Sequence, residues 1–270
     1  MKKSEVRNSH LLEMLQLSKR LDVKTISDSL GVSVATVRRQ LTRLEAEGKV
    51  IRTHGGVCLA PHLGSDYSYY VSSMHRSREK AAIGKAAAEI VTSGERLFLD
   101  SGTTVLEFAE ALSLRLQSGE VKSLVVLTNS LALVEALARW CRVMLIGGEV
   151  RVERRDVSGP ITEETLRQFH VTRSFLGADA VNIASGFLTT DERTAKMNEI
   201  ALRNSRHAYV LVDSEKFGKD SFVQYATLGE VEAIYTDSGI AEDVLRDFTD
   251  AGARIHVVPM GTRRAGRTSD

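Results

Sequence analysis

The sequence predicts a two-part α/β chain. A small helical N-terminal module with a β-hairpin precedes a larger α/β domain with a mostly parallel sheet. Three observations predict this. Residues 23–57 read as two helices, a tight turn and a wing. From Arg76 onward, helical and strand patterns alternate, the signature of a parallel sheet with helices on both faces. The charge is split: residues 1–60 hold 11 Lys and Arg against 6 Asp and Glu, and residues 61–270 hold 25 against 29. A basic module on a slightly acidic body suits a nucleic-acid-binding unit joined to a domain with another task.

Glu5 to Leu17 is the first expected helix, with Val6, Leu11, Leu12 and Leu15 inward. Lys24 to Leu30 is a short second helix with Ile26 and Leu30 on one face. Gly31 permits the sharp turn, because it tolerates positive φ. Ser33 is a good N-cap for the next helix. There Val34, Val37, Leu41 and Leu44 recur at one-sided helical spacing, leaving Thr36, Arg38, Arg39, Gln40, Thr42 and Arg43 to face outward. Such a front can enter the major groove, where Arg and Gln read base edges and Arg, Lys and Thr hold phosphates. Gly48 ends the helix. Val50–Arg52 and Val57–Leu59 are expected strands around a His54-Gly55-Gly56 turn. An ordinary amphipathic helix with a solvated basic face is the plainer alternative, but the whole succession favours a winged helix-turn-helix. Residues 59–75 read as a linker of Pro, Gly, Ser and Tyr without a clear period.

In the larger domain, 76–258, helices are expected at 77–91, 105–116, 131–140, 161–169, 194–204 and 241–251. Strands are expected at 96–99, 124–127, 142–146, 173–176, 208–212, 232–235 and 254–258. Ligands of such sheets sit beyond the strands' carboxyl ends. Those ends carry Asp100-Ser101-Gly102-Thr103-Thr104, Thr128-Asn129-Ser130, Gly147-Gly148 with the charged run 149–156, Gly177-Ala178-Asp179, and residues 213–218. Each alone reads as a turn or cap. Together they suggest a pocket for a small phosphorylated polyhydroxy ligand. Asp carboxylates would accept from hydroxyls, and Lys216, Arg151 and backbone N–H groups would hold phosphate.

Cys58 and Cys141 are the only cysteines, without a CxxC, so a disulfide framework and a Cys-type zinc site are not expected. The seven histidines form no ligand pair, and no cofactor or metal is expected. No G-x-S-x-G elbow is present. With no signal-peptide pattern and no membrane-length apolar run, a cytoplasmic setting follows. The tail, 259–270, is expected to be disordered.

The stretch LGVSVATVRRQLTRLEAEGKVIRTHGGV resembles the winged helix-turn-helix of the DeoR family of bacterial sugar-metabolism regulators. The pattern is matched at Val32, Ser33, Thr36, Arg38, Arg39, Leu41, Leu44, Glu45, Gly48, Arg52, His54, Gly55 and Gly56. It departs at Gln40, where the family usually has Asp; the swap removes a negative charge beside the DNA. The strand-end loops DSGTT, TNS, GGEVR, SGP, GADAV, GFLTT and DSEKFG resemble the same family's C-terminal domain, whose fold is related to ribose-5-phosphate isomerase. The resemblance spans about residues 4–258. It implies a cytoplasmic bacterial regulator, usually a repressor, that binds a double-stranded operator and is relieved by a phosphorylated sugar. The DNA contacts expected at matching positions are Ser33, Thr36, Arg38, Arg39, Arg52, His54 and Gly55, and the outward face of the helix adds Gln40 and Arg43. The effector residues that carry over are Asp100, Gly102, Thr103, Thr104, Thr128, Asn129, Asp179 and Lys216; the reading of the strand-end loops adds Ser101, Ser130, Gly147, Gly148 and Arg151. A homo-oligomer, dimer or tetramer, is expected, since one winged helix buries little DNA surface.

The rival is an active sugar-phosphate isomerase fused to a DNA-binding module. Isomerisation needs a base and acids placed on the oxygens. The isomerases carry a second acid soon after GAD and a Lys-bearing glycine loop. Here GAD leads into Ala180, Val181 and Asn182, with no acid before Asp191 and no Lys in 184–190. No catalytic residue is assigned.

Overall fold

The computed structural model describes residues 8, 10, 11, 14, 15, 18, 20–46, 50–53, 56–59 and 69–260. The chain divides into two compact units, Met1–Met74 and His75–Asp270.

In the first unit, α1 (Val23–Leu30) starts at Asp22, whose carboxylate accepts from the backbone N–H of Lys24 and Thr25, both at 2.9 Å. It ends at Gly31, with φ of 61°, a left-handed turn that glycine makes without a Cβ clash. Helix α2 (Val34–Ala46) follows. Val37, Leu41 and Leu44 are fully buried with Ile26, Leu11 and Leu15, as the periodicity requires. Val34 departs from that expectation: it is 39 % exposed and lies outside the core cluster. Of the expected first helix, Asn8, His10, Leu11, Met14 and Leu15 are helical, as is Ser18 just past its expected end, while Val6 and Leu12 lie outside the described residues. Strands β1 (Val50–Thr53) and β2 (Gly56–Leu59) form the antiparallel wing, pairing Thr53 with Gly56. Leu21 and Val57 exchange two backbone hydrogen bonds, fastening the wing to the start of α1. Residues 47–49, including Gly48, lie outside the described residues. The linker region is not wholly irregular, for Tyr69–Met74 forms a helix, α3.

The second unit is built on seven strands. They are β3 (Arg96–Leu99), β4 (Val125–Thr128), β5 (Arg142–Leu145), β8 (Val171–Leu176), β11 (Ser205–Leu211), β13 (Ala233–Asp237) and β14 (Ile255–Val258). Their order is β14-β13-β11-β8-β3-β4-β5, and every pairing is parallel. Alternate side chains enter opposite cores, as strand geometry dictates: Leu97, Leu99, Tyr209 and Leu211 on one face, Phe98, Val210 and Val212 on the other. The first face is covered by α4 (Ser77–Ala88), α5 (Thr103–Gln117) and α6 (Leu131–Leu137). The second is covered by α7 (Pro160–Arg167), α8 (Glu192–Arg203) and α9 (Glu242–Asp250).

Gly84 in α4 lies directly on α5: a Cβ there would sit 2.4 Å from Phe108 N and 2.5 Å from Glu107 C. Only a hydrogen fits at that crossing. The close approach brings the first turn of α4 to the first turn of α5.

Two parts depart from the expected pattern. The charged run after β5 forms a hairpin, β6 (Glu149–Arg151) with β7 (Asp156–Ser158), pairing Arg151 with Asp156. A second sheet of three antiparallel strands, β9 (Ala180–Asn182), β10 (Gly186–Thr189) and β12 (Val223–Ala226), was not expected. Its Val181, Phe187, Tyr225 and Ala226 complete the second core.

Candidate functional site

On α2 the Ser33 hydroxyl accepts from Thr36 N at 3.3 Å and lies 2.9 Å from Thr36 Oγ1, so both residues cap the helix. Ala35, Arg38, Arg39, Thr42 and Arg43 form the exposed face. The guanidinium groups of Arg38 and Arg39 make no hydrogen bond or ion pair among the described residues. Two expected contacts are directed elsewhere. Gln40 is half-buried, and its amide donates to Asn8 of the preceding helix. Arg52 of β1 reaches back to α2, donating to Arg38 O at 2.6 Å and to Thr42 Oγ1, with Glu45 at 3.2 Å. It braces the wing against the helix. His54 and Gly55 lie outside the described residues.

In the second unit, the chain runs outward from β3 to β4 and β5, then crosses back to β8 and builds the other half of the sheet. The switch point lies between β3 and β8, where such sheets bind ligands beyond the strand ends. Asp100 follows β3 and Gly177 follows β8; Asp100 Oδ2 accepts from Gly177 N at 3.1 Å and so closes the seam. Burial pushes the Asp100 carboxyl up to about 6, partly opposed by the N–H groups of Gly177 and Ser101 and reinforced by Asp156 and Asp179. The Ser101 hydroxyl donates to Asp156 at 3.1 Å. Gly102 is the N-cap of α5, and with no side chain it makes no capping hydrogen bond there. The first N–H groups of α5, with their positive dipole end, therefore belong to the Asp100–Thr104 loop.

Beside this terminus stands Lys80, which the sequence reading missed. Its ammonium donates to Thr103 Oγ1 at 2.9 Å. Only 4 % of the residue is exposed, and burial brings the amine down to about 8, Asp213 opposing and Lys216 adding to the effect. One signal could have found it. Lys80 lies on the same helix face as Ile83, Gly84 and Ala87, so a charge occupies the inward stripe. Lys216 is half-buried on a 3₁₀ turn, Ser214–Lys216, and its ammonium has no partner among the described residues. Two cations and a helix N-terminus thus meet at one place.

Asp179 Oδ2 accepts from Thr190 N at 2.8 Å and Thr190 Oγ1 at 3.0 Å. Gly147 and Gly148 lie exposed after β5. The remaining expected residues have other tasks. Thr128 is fully buried; its hydroxyl donates to Leu99 O at 2.7 Å and accepts from Ser130 N at 3.0 Å. Ser130 is the buried N-cap of α6. Asn129 donates to Val157 O at 3.1 Å, and its buried Oδ1 has no partner among the described residues. Arg151, expected to hold phosphate, is already engaged. It grips Asp156 with two bonds, at 2.8 and 2.7 Å, and Asp191 at 2.6 Å. Burial would raise Asp191, but the bonds from Arg151 and Thr194 outweigh it and bring it to about 2. A guanidinium between two carboxylates is a brace for the β6–β7 hairpin rather than an open anion donor. Tyr225, also missed, is buried and donates to Gly177 O at 2.8 Å, supporting the seam from below.

Among the described residues, no helix is long and apolar enough to cross a membrane.

A model of the DeoR-like helix-turn-helix domain matches residues 7–61, and a model of the DeoR C terminal sensor domain matches residues 75–238. The HTH-type transcriptional regulator GlpR of Haloferax volcanii is 30% identical over 250 residues, covering 92% of this chain and 96% of its own. The glycerol-3-phosphate regulon repressor of Escherichia coli K12 is 27% identical, with 92% and 96% covered. A solved ribose 5-phosphate isomerase A from Methanocaldococcus jannaschii is 19% identical at a TM-score of 0.39, over 51% of this chain and 53% of its own.

Proposed function

The chain belongs to the DeoR family of transcriptional regulators, and we propose that it is a cytoplasmic repressor of carbohydrate-catabolism genes released by a sugar phosphate. The observation that carries the effector reading is the convergence of Lys80, Lys216 and the glycine-capped N-terminus of α5 on one side of the switch point. A phosphate dianion is attracted by two ammonium groups and by the positive end of a helix together. Asp179 and Asp100 lie beyond, as acceptors for sugar hydroxyls. The exposed Arg38, Arg39, Thr42 and Arg43 supply groove and phosphate contacts to a double-stranded operator. A homo-oligomer, dimer or tetramer, places two or more such helices on repeated half-sites. Binding without turnover is the better reading. The stretch after Asp179 enters the buried strand β9 with no acid before Asp191, so the second acid–base group of an isomerase is absent there.

A thermal-shift screen against matched phosphosugars and free sugars tests this. A ligand selective for the folded state raises the melting temperature by mass action. Phosphosugars are expected to raise it and their free sugars to do so far less. Equal responses from both, or from neither, would remove the phosphate site, and turnover of the hit would restore the isomerase.

A further inference from the structure

The anion site and the joint to the DNA-binding unit are made by the same turn of helix. The boundary between the units falls at Met74 and His75. Arg76 is the N-cap residue of α4 and holds φ of 52°, a left-handed conformation that a long side chain rarely adopts. Lys80 follows one turn later, its N–H bonded to Arg76 O at 3.0 Å.

Such a backbone persists only where its surroundings over-determine it, and here they do. Arg76 Nη2 donates to Asp237 Oδ2 at 2.9 Å and Ser214 Oγ at 3.0 Å, and Nη1 donates to Glu215 Oε1 at 3.0 Å. Its Nε lies 3.4 Å from Asp213 Oδ1, and Asp213 and Asp237 are both buried. His75 grips the other oxygen of Glu215 at 3.0 Å. Residues 213–215 therefore form a socket for the first two residues of the unit. The next residue of that turn is Lys216.

We infer that Arg76 is a positioning residue that couples occupation of the Lys80–Lys216 site to the DNA-binding unit, through the socket formed by Asp213, Ser214, Glu215 and Asp237. The inference rests on the anion reading given above. Asp213 lies between the two systems, paired with Arg76 and also attracting Lys80. A dianion that engages Lys80 and Lys216 takes up the positive charge facing Asp213, which then relies on Arg76. The occupied site thus favours the seated, left-handed Arg76, and this backbone fixes the direction in which the chain leaves the unit. An empty site lets Arg76 unseat and the joint relax. The seated Arg76 of this structure and an unseated one would be the two states that coupling requires.

The test uses full-length protein and an operator selected by the wild type from random DNA. The probes are inorganic phosphate, glycerol 3-phosphate, fructose 1-phosphate and glucose 6-phosphate. Probe binding is measured by calorimetry and operator binding by anisotropy, with and without probe. For the wild type, coupling should lie in the usual range of about 5- to 150-fold. Arg76→Gln should keep probe binding and operator binding while the coupling ratio falls toward one. Arg76→Lys should restore part of the ratio. Glu215→Gln, at an exposed carboxylate, should lower it without endangering the fold, and decides the matter if Arg76→Gln does not fold. Full coupling in these variants would overturn the inference and leave the anion site standing. Loss of probe binding in Arg76→Gln would make Arg76 part of the ligand site instead. A wild type that binds none of the probes would overturn the anion site itself, and the coupling with it.

Discussion

Asp100→Asn should stabilise the protein at neutral pH while removing its response to effector. Burial raises the carboxyl from 3.8 in the unfolded chain to about 6 in the fold. One unit corresponds to 1.36 kcal/mol, so about two units set about 3 kcal/mol against the ionised folded state. Below pH 3.8 both states are protonated and the carboxyl costs nothing. Between 3.8 and about 6 the unfolded chain gives up its proton and the folded chain keeps it, so stability falls as pH rises. Above about 6 the cost is complete. Asparagine carries no such cost, and its Oδ1 still accepts from Gly177 N–H. Its amide NH₂ faces the Ser101 hydroxyl, which lies 3.5 Å from Asp100 Oδ1. The gain over wild type should therefore be near zero at pH 3.5, about 1.5 kcal/mol at pH 5 and about 3 kcal/mol at pH 7.5. Urea unfolding of both proteins at the three pH values measures it. A pH-independent difference, or an Asn variant less stable at pH 7.5, would refute the reasoning. Gain of stability with loss of response is the usual signature of a strained functional group.

Three further outcomes are expected. Gly84→Ala drives a methyl into the α5 backbone and should cost about 1–3 kcal/mol, seen as a lowered urea midpoint with the slope unchanged. Lys80→Met keeps the stem and removes the charge, so calorimetry should show phosphosugar affinity falling at least about tenfold, the worth of about 1.4 kcal/mol, with free-sugar affinity unaltered. Arg39→Ala should weaken operator binding and reduce the slope of log affinity against log salt by about 1 if Arg39 holds a phosphate; an unchanged affinity would place Arg39 outside the interface.

The parts of the molecule legible in the sequence were those with a strong period. Val37, Leu41 and Leu44 gave α2 its buried side, and the seven strands of the main sheet were each found to within a few residues. The small sheet was not legible, because β9, β10 and β12 are only three or four residues long, and all four positions of β10 are buried. No alternation of polar and apolar residues marks such a strand. The β6–β7 hairpin read as a charged loop, since Arg151 and Asp156 face each other only after the strands pair. For the same reason Arg151 looked like a phosphate donor: a sequence displays its charge and not the two carboxylates that occupy it. Residue type and strand-end position brought out Asp100, Thr103 and Lys216, which need only a topology to meet. Lys80 needs a helix crossing, and that crossing depends on Gly84, a residue whose role becomes visible only when α5 is laid against it.

The seam between β3 and β8 has a kinetic meaning. Strands β3, β4 and β5 are neighbours in sequence and in space, and so are β8, β11, β13 and β14, so each half of the sheet can assemble from nearby segments. The bond from Gly177 to Asp100 joins residues 77 apart, and closing so long a loop carries an entropic cost that local contacts do not share. The last step of folding should therefore be the meeting of two preformed halves, and the last feature to appear should be the binding site itself. The chain should sense its ligand only once the two halves have met, and a ligand that spans the seam should slow their reopening rather than speed their meeting.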